Sequence, residues 1–241
     1  MTLEILGRME NASNSTIVVR ENDTQFVYKP ISGERPLWDF PDGNLAHRER
    51  ASYLLSQIAG WNLVPQTDLR EGPMGLGSFQ RWVDAEVLSV DILPPAETPE
   101  NWHVVMSGSN ERGQEVVLAH SHELNLRKLA LFDAVINNAD RKGGHILTDD
   151  DGNHFAIDHG VTFHHEPKLR TVLWGWIGEP FTADEVELLH NSAKAIHNDE
   201  FTHLLTSQEI LATQNRIQGL IELGAFPEPS PDWPAIPWPI F

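Results

Sequence analysis

The chain has 241 residues and no cysteine, so it has no disulfides to support it, which fits a reducing cytosol and a cytoplasmic location. Basic residues are also scarce. Seventeen Lys plus Arg stand against 35 Asp plus Glu, a formal charge of −18. Such a field repels nucleic acid and anionic membrane surfaces over the distance that salt permits, so we expect neither as a partner and no stable membrane association. No segment approaches the roughly 18 apolar residues of a membrane span. The opening MTLEILGRMENASNSTIVV lacks a basic region followed by a long apolar run, so no signal peptide is expected. The G-x-x-x-x-G-K pattern of a P-loop is missing as well.

Apolar residues make up 40% of the chain, enough for one large domain or two lobes. Residues 1–83 read as a small lobe. Leu3–Leu6, Thr16–Val19 and Gln25–Tyr28 have strand character, the last two joined by Glu21-Asn22-Asp23. The polar loop of residues 7–15, with Ser13 and Asn14, can turn backbone N–H groups toward phosphate. Lys29 ends a strand of alternating character before Pro30, where a lysine is ordinarily solvated. A helix follows from about Leu45 to Ala59, capped by Asp42 or Asn44 and closed by Gly60. Glu49 lies within it, and most helical glutamates face water. Gly77 to Val83, through Gln80, Arg81 and Trp82, reads as a buried strand running into a connector.

Residues 84–224 read as a larger lobe, with a connector and hairpin through Trp102–Met106 and Glu115–Leu118, then a long helix capped by Ser121. Leu129, Phe132, Val135 and Ile136 recur at helical spacing and imply an amphipathic helix ending near Asn137 or Asn138. A loop with Asp140, Arg141, Lys142 and His145 comes next. A hairpin turning at Asp149–Asn153 then leads to Asp158-His159-Gly160. That hairpin can bring Asp158 back to His145 and Asp140, and two carboxylates facing an imidazole make a seat for a divalent ion and a base. Singly, Asp140 reads as a turn cap and Asp158 as the start of a turn. His164 and His165 suggest metal, but neighbours on a strand point to opposite faces and rarely share one ion, and a surface loop docked by its aromatics is at least as good a reading of this stretch. Thr182–Glu185 and Thr206–Glu209 both fit the capping box. The proline- and tryptophan-rich tail of residues 225–241 cannot be helical; it either docks on the body through Trp233, Trp238 and Phe241, the favoured reading, or binds a partner.

The order of strand, loop, strand, Lys29, helical Glu49, a connector at 80–84, Asp140-Arg141 and Asp158-x-Gly160 resembles the protein-kinase-like superfamily, in particular its phosphatidylinositol 3- and 4-kinase and HipA-like branch. The wording NNADRKGGH, with AIDHG downstream and VYKP upstream, is similar to an actinobacterial family usually described as phosphatidylinositol-kinase-like. The likeness runs from about residue 3 to residue 222. It implies an α+β, two-lobed fold with a β-rich first lobe and a larger, mainly helical second one. It also implies ATP and Mg2+ or Mn2+ as cofactors and a hydroxyl-bearing acceptor. Lys29 would hold the α- and β-phosphates and Glu49 would fix Lys29. The loop with Ser13 and Asn14 would cover the phosphates, and the backbone from Gln80 to Val83 would meet the adenine. Asp140, in the Asp-Arg motif with Arg141, would orient or deprotonate the acceptor hydroxyl, and Asp158 would bind metal. Lys142 stands where many members of that branch have histidine, and it can neutralise the transferred group. His145 replaces the branch's metal-binding asparagine, and imidazole suits manganese and later metals better than magnesium.

Three functions remain open on the sequence: a kinase-like phosphotransferase acting on a protein or small molecule, a nucleotide-binding pseudokinase, and a metal-dependent hydrolase built from His145, Asp158, His159 and His164.

Overall fold

A computed structural model describes residues 3–9, 14–41, 43–85 and 89–241, so Ser13 and Asp42 lie outside the described residues. Strands β1 (Leu3–Arg8), β2 (Ile17–Glu21), β3 (Thr24–Pro30), β4 (Thr67–Gly72) and β5 (Gly75–Arg81) form an antiparallel sheet in the order β1-β2-β3-β5-β4. Glu21 pairs with Thr24 across a two-residue turn in which Asn22 takes φ +55°, the left-handed conformation that tight hairpins demand and asparagine tolerates. Alternation then sorts β3 by face. Tyr28 turns into a small cluster with Ile17, Val19 and Phe79, stacking on the Phe79 ring at 4.4 Å, while Lys29 turns the other way.

Helix α1 (Leu45–Ile58) lies between β3 and β4 in the chain and is capped by Asn44, whose side chain accepts the His47 N–H at 2.8 Å. The second lobe begins with a three-stranded sheet, β6 (Val90–Leu93), β7 (Trp102–Ser109) and β8 (Glu115–Ser121), in the order β6-β8-β7. Helix α2 (Leu124–Ile136), the hairpin β9 (Ile146–Thr148) and β10 (His154–Ala156), and helices α3 (Ala183–Ala195) and α4 (Ser207–Leu223) complete it. The fold is therefore α+β and two-lobed. Both Thr182 and Thr206 form full capping boxes, with Glu185 and Glu209.

Several details differ from the sequence reading. Helix α2 is not amphipathic: Leu126, Leu129, Ala130, Leu131, Phe132, Ala134, Val135 and Ile136 are all buried, as expected of a helix enclosed on every side. Ser121 does not cap it. It ends β8 and donates to the Glu123 carboxylate at 2.7 Å. Strand β6 went unread. Of the two readings open for residues 161–177, the loop is the one present: they contain no strand, and Phe163 takes φ +61°. The lobes also share one core. Ala51, Leu54, Leu55 and Trp61 of the first lobe pack with α2, α3 and α4, joined by Phe226 and Ile240 of the tail, whereas Trp238, expected to dock, is exposed. The two lobes are thus not separate in the packing. No helix among the described residues is long and apolar enough to cross a membrane.

His120 on β8 shows how this core handles polar groups. Its Nδ1–H donates to the Ser121 carbonyl at 3.0 Å and its Nε2 accepts the Gly175 N–H at 3.1 Å, which fixes a neutral ring. Burial pulls its pKa down to about 4, helped by His103 and His122 and opposed by the Ser121 bond. The folded value lies below the unfolded one. The unfolded chain therefore takes up the proton first, and stability present above pH 6.5 is lost as pH falls toward 4. Urea titrations of His120→Gln should show a pH 7 to pH 4 stability loss smaller than wild type by on the order of 3 kcal/mol. Parallel pH profiles for the two proteins would contradict a neutral buried His120.

Candidate active site

Lys29 is carried out of the sheet by β3 toward α1. There its Nζ meets the carboxylate of Glu49 and, at 2.8 Å, Oδ1 of Asp158. Glu49 is buried on the second turn of α1, and Asp158 follows β10 and is half-exposed. Burial would lower the lysine pKa, but Asp158 and Glu49 together hold it above the usual lysine range. The Lys29 charge keeps Asp158 well below the usual carboxylate range against the effect of burial. Burial pushes Glu49 up while Lys29 pulls it down. Asp158 takes φ +59°, a left-handed conformation that aims its carboxylate back at Lys29. Just beyond it, Gly160 lies so close to Leu45 at the start of α1 that a Cβ would stand 3.0 Å from the leucine Cβ.

The β9–β10 hairpin brings His145 to the same carboxylate. Its Nδ1–H donates to the Asp140 carbonyl at 3.1 Å, so the lone pair of Nε2 faces Asp158 Oδ2 at 3.3 Å. Burial lowers the His145 pKa to about 4, keeping the ring neutral. A neutral imidazole lone pair facing a carboxylate oxygen at that spacing is a donor set that would suit a divalent cation, which His145 and Asp158 would hold. Asp140 lies on the loop after α2, its N–H held by Asn138 Oδ1 at 3.0 Å, and its Oδ2 is 3.5 Å from the Lys142 ammonium. Burial raises the Asp140 pKa, Lys142 and Arg170 oppose this, and Asp158 adds to it. A carboxylate with a raised pKa is a better proton acceptor.

The chain is 43% identical to protein Rv2133c of Mycobacterium tuberculosis over 257 residues, covering 99% of this chain and 92% of that protein. It belongs to the Rv2133c family. No family model matches the chain. Among solved structures, the crystal structure of the Helicobacter pylori proinflammatory kinase CtkA is similar, with a TM-score of 0.46 at 12% identity and 94% of each chain covered. A superposition this loose carries no argument about function.

In this member of the Rv2133c family the other expected site residues separate into groups. Arg141 is fully buried and pairs with Asp133 of α2, not with the Lys29 cluster. Its guanidinium binds both Asp133 oxygens at 3.0–3.2 Å, the Ile157 carbonyl at 2.7 Å and His159 Nε2 at 2.8 Å. It therefore braces the loop from behind. Asn14 turns its Oδ1 to the Arg35 N–H at 2.9 Å. Along 80–83, the Gln80 side chain binds Thr67 at 3.0 Å, the Arg81 N–H goes to Gln66 at 2.8 Å and the Trp82 N–H to Gln25 at 3.0 Å. Among the described residues only Val83 in this stretch keeps both its backbone N–H and its C=O without a partner.

The hydrolase ligand set does not come together. His159 is committed to Arg141, and His164 belongs to another group, with His165 and Glu166, whose potential ligand atoms lie within 4.8 Å of one another. The rings of His164 and His165 stack at 4.4 Å, which the loop reading of this segment allows and a strand would not. His164 Nδ1 is already used by the Glu166 N–H at 3.0 Å.

Two structural residues were missed in the sequence. Arg48, next to Glu49, reaches the Thr162 carbonyl at 3.0 Å and the Glu209 carboxylate on α4, tying the lobes together. Asp133 did leave a signal, as a lone acid within LALFDAVI that any buried helix must neutralise. Replacing Asp133 by Ala leaves the Arg141 charge buried without its carboxylate and should cost about 3–5 kcal/mol in chemical denaturation. Adding Arg141→Met should recover part of that loss. A single variant within experimental error of wild type would contradict the brace.

Proposed function

We propose that this protein is a kinase-like phosphotransferase that moves the γ-phosphoryl group of ATP to a hydroxyl on a protein or small molecule. The observation that carries the reading is the Lys29 ammonium, set between Glu49 of α1 and Asp158 after β10. Structural ion pairs are usually two-membered and screened by water. Here one cation is gripped by two acids from separate elements, and one of those acids stays half-exposed beside the lone pair of a neutral histidine.

Phosphoryl transfer needs positioning and charge neutralisation more than covalent chemistry. Lys29, fixed by Glu49, binds the α- and β-phosphates, and the free backbone groups of Val83 bind the adenine edge. His145 and Asp158 would hold a divalent cation, which would supply further neutralisation of the phosphate charge. Asp140 orients the acceptor hydroxyl and accepts its proton, and Lys142 stands beside it to neutralise the transferred group. Arg141 positions this loop and touches no substrate. A net charge of −18 suits an anionic bilayer poorly, so lipid is the least favoured acceptor. Phosphorylation of phosphoinositide in vesicles would contradict that preference. A pseudokinase is the second reading, favoured by His145. It would shift its melting temperature with ATP and metal yet consume no ATP over hours.

ATP turnover by pure protein should be faster with Mn2+ than with Mg2+, and His145→Asn should move the preference toward Mg2+. Asp140→Asn should lower kcat by roughly 10²–10⁴-fold while nucleotide affinity stays close to wild type. Lys29→Met should weaken nucleotide binding itself. Turnover untouched by Asp140→Asn would overturn the assignment of the base, and equal or better rates in Mg2+ would remove His145 from the ligands.

A further inference from the structure

Asp140 and His145 must hold a fixed relation if one addresses the acceptor and the other the cation. Yet the chain between them is Arg141-Lys142-Gly143-Gly144, and two consecutive glycines give it little stiffness of its own. Arg141 secures only the inner side of this loop. The outer side is held by residues 225–241. The Gly143 N–H donates to the Ile240 carbonyl at 2.9 Å, and a Cβ on Gly143 would collide with the Phe241 ring, so glycine is needed there to admit the aromatic group. Upstream in the same segment, the Ala235 carbonyl accepts the Thr171 N–H at 3.1 Å and the Trp174 indole N–H at 2.9 Å. The Trp233 ring lies 5.3 Å from the guanidinium of Arg170. Arg170 in turn donates Nε–H to the Ala139 carbonyl, one residue before Asp140, and its backbone N–H to Asn138 at 2.9 Å. Ile240 is buried in the shared core, which anchors the strap.

We propose that residues 233–241 form a strap that positions the active-site loop, with Phe241 and the Ile240 carbonyl fixing Gly143 and Trp233 fixing Arg170, so that Asp140 and His145 keep their spacing. Its kinetic consequence rests on the phosphotransfer reading, whereas its effect on the loop does not. Phe241 is the residue to change. It is 46% exposed, so losing its ring removes the contact with Gly143 at little cost to the core. The strap supports the loop and does not block it, because every hydrogen bond it makes goes to backbone or to the Trp174 indole, its cation–π contacts go to Lys168 and Arg170, and none goes to the carboxylates of Asp140 or Asp158.

The test uses the full chain with Phe241→Ala, Phe241→Tyr, Gly143→Ala and the Gly143→Ala/Phe241→Ala pair, read by amide hydrogen exchange and by Mn2+-supported ATP turnover. Phe241→Ala should speed exchange of the Lys142–His145 amides about tenfold or more while β5 and α1 are unchanged. It should lower kcat about tenfold with KM for ATP within about twofold of wild type. Phe241→Tyr should retain both properties. Gly143→Ala should show the defect by displacing the ring, and the double variant should be no worse than Phe241→Ala alone, since the two changes remove one contact. Unchanged loop exchange in Phe241→Ala, or additive defects in the pair, would overturn the proposal. A rise in kcat would also overturn it and make the strap an obstruction. If wild type turns over no ATP, the phosphotransfer reading fails, and the exchange data alone then decide whether the strap holds the loop.

Discussion

A single ammonium group in a low-polarity setting governs the arrangement of this molecule. Lys29 can remain charged beneath the first sheet only because Glu49 and Asp158 converge on it from a helix and from a turn after a distant hairpin. Removing water from a charge costs several kcal/mol unless opposite charge compensates it. The sheet, α1 and the β10 turn are therefore fixed in mutual position by electrostatics as well as by packing. The compensation is asymmetric. Glu49 is sealed away, while Asp158 stays half-exposed, so part of the lysine's coordination faces outward, where a phosphate oxygen can take it over.

The remainder of the site can be understood as support for those few atoms. The Asp133–Arg141 pair and His159 connect α2, the active-site loop and the Asp158 turn from inside, with every member buried. The Arg48–Glu209 pair joins α1 to α4, so the helix that carries Glu49 is locked to the second lobe. Such pairs contribute little net stability compared with an apolar core, but breaking one partner is costly. Their value here is geometric, because side chains that must meet within hydrogen-bonding distance need rigid elements behind them.

Much of this was legible in the sequence. Read singly, Lys29, Glu49 and Asp158 carry no sign of one another; only their order along the chain, through its resemblance to the kinase-like superfamily, implied one site, and the three do meet. Asn44 and the two Thr-x-x-Glu capping boxes were readable because they depend only on neighbours in the chain. What the sequence could not show depends on tertiary partners. Arg48 reads like any charged residue on a helix, and its burial is decided by Glu209, 161 positions away. Helix α2 seemed one-sided because its small residues, Ala130 and Ala134, carry no strong periodic signal although they are as enclosed as the leucines. Residues 161–177 left a strand and a surface loop both open in the sequence, and the left-handed Phe163 belongs to the loop.

The central claim is that Lys29 and Asp158 share one bound triphosphate. The most direct measurement is a crystal structure with a nonhydrolysable ATP analogue and Mn2+. The account predicts phosphate oxygens on Lys29 Nζ, the metal between His145 and Asp158, and the adenine against Val83. Nucleotide bound elsewhere, or Lys29 still closed onto Asp158 with no phosphate between them at saturating analogue, would contradict it.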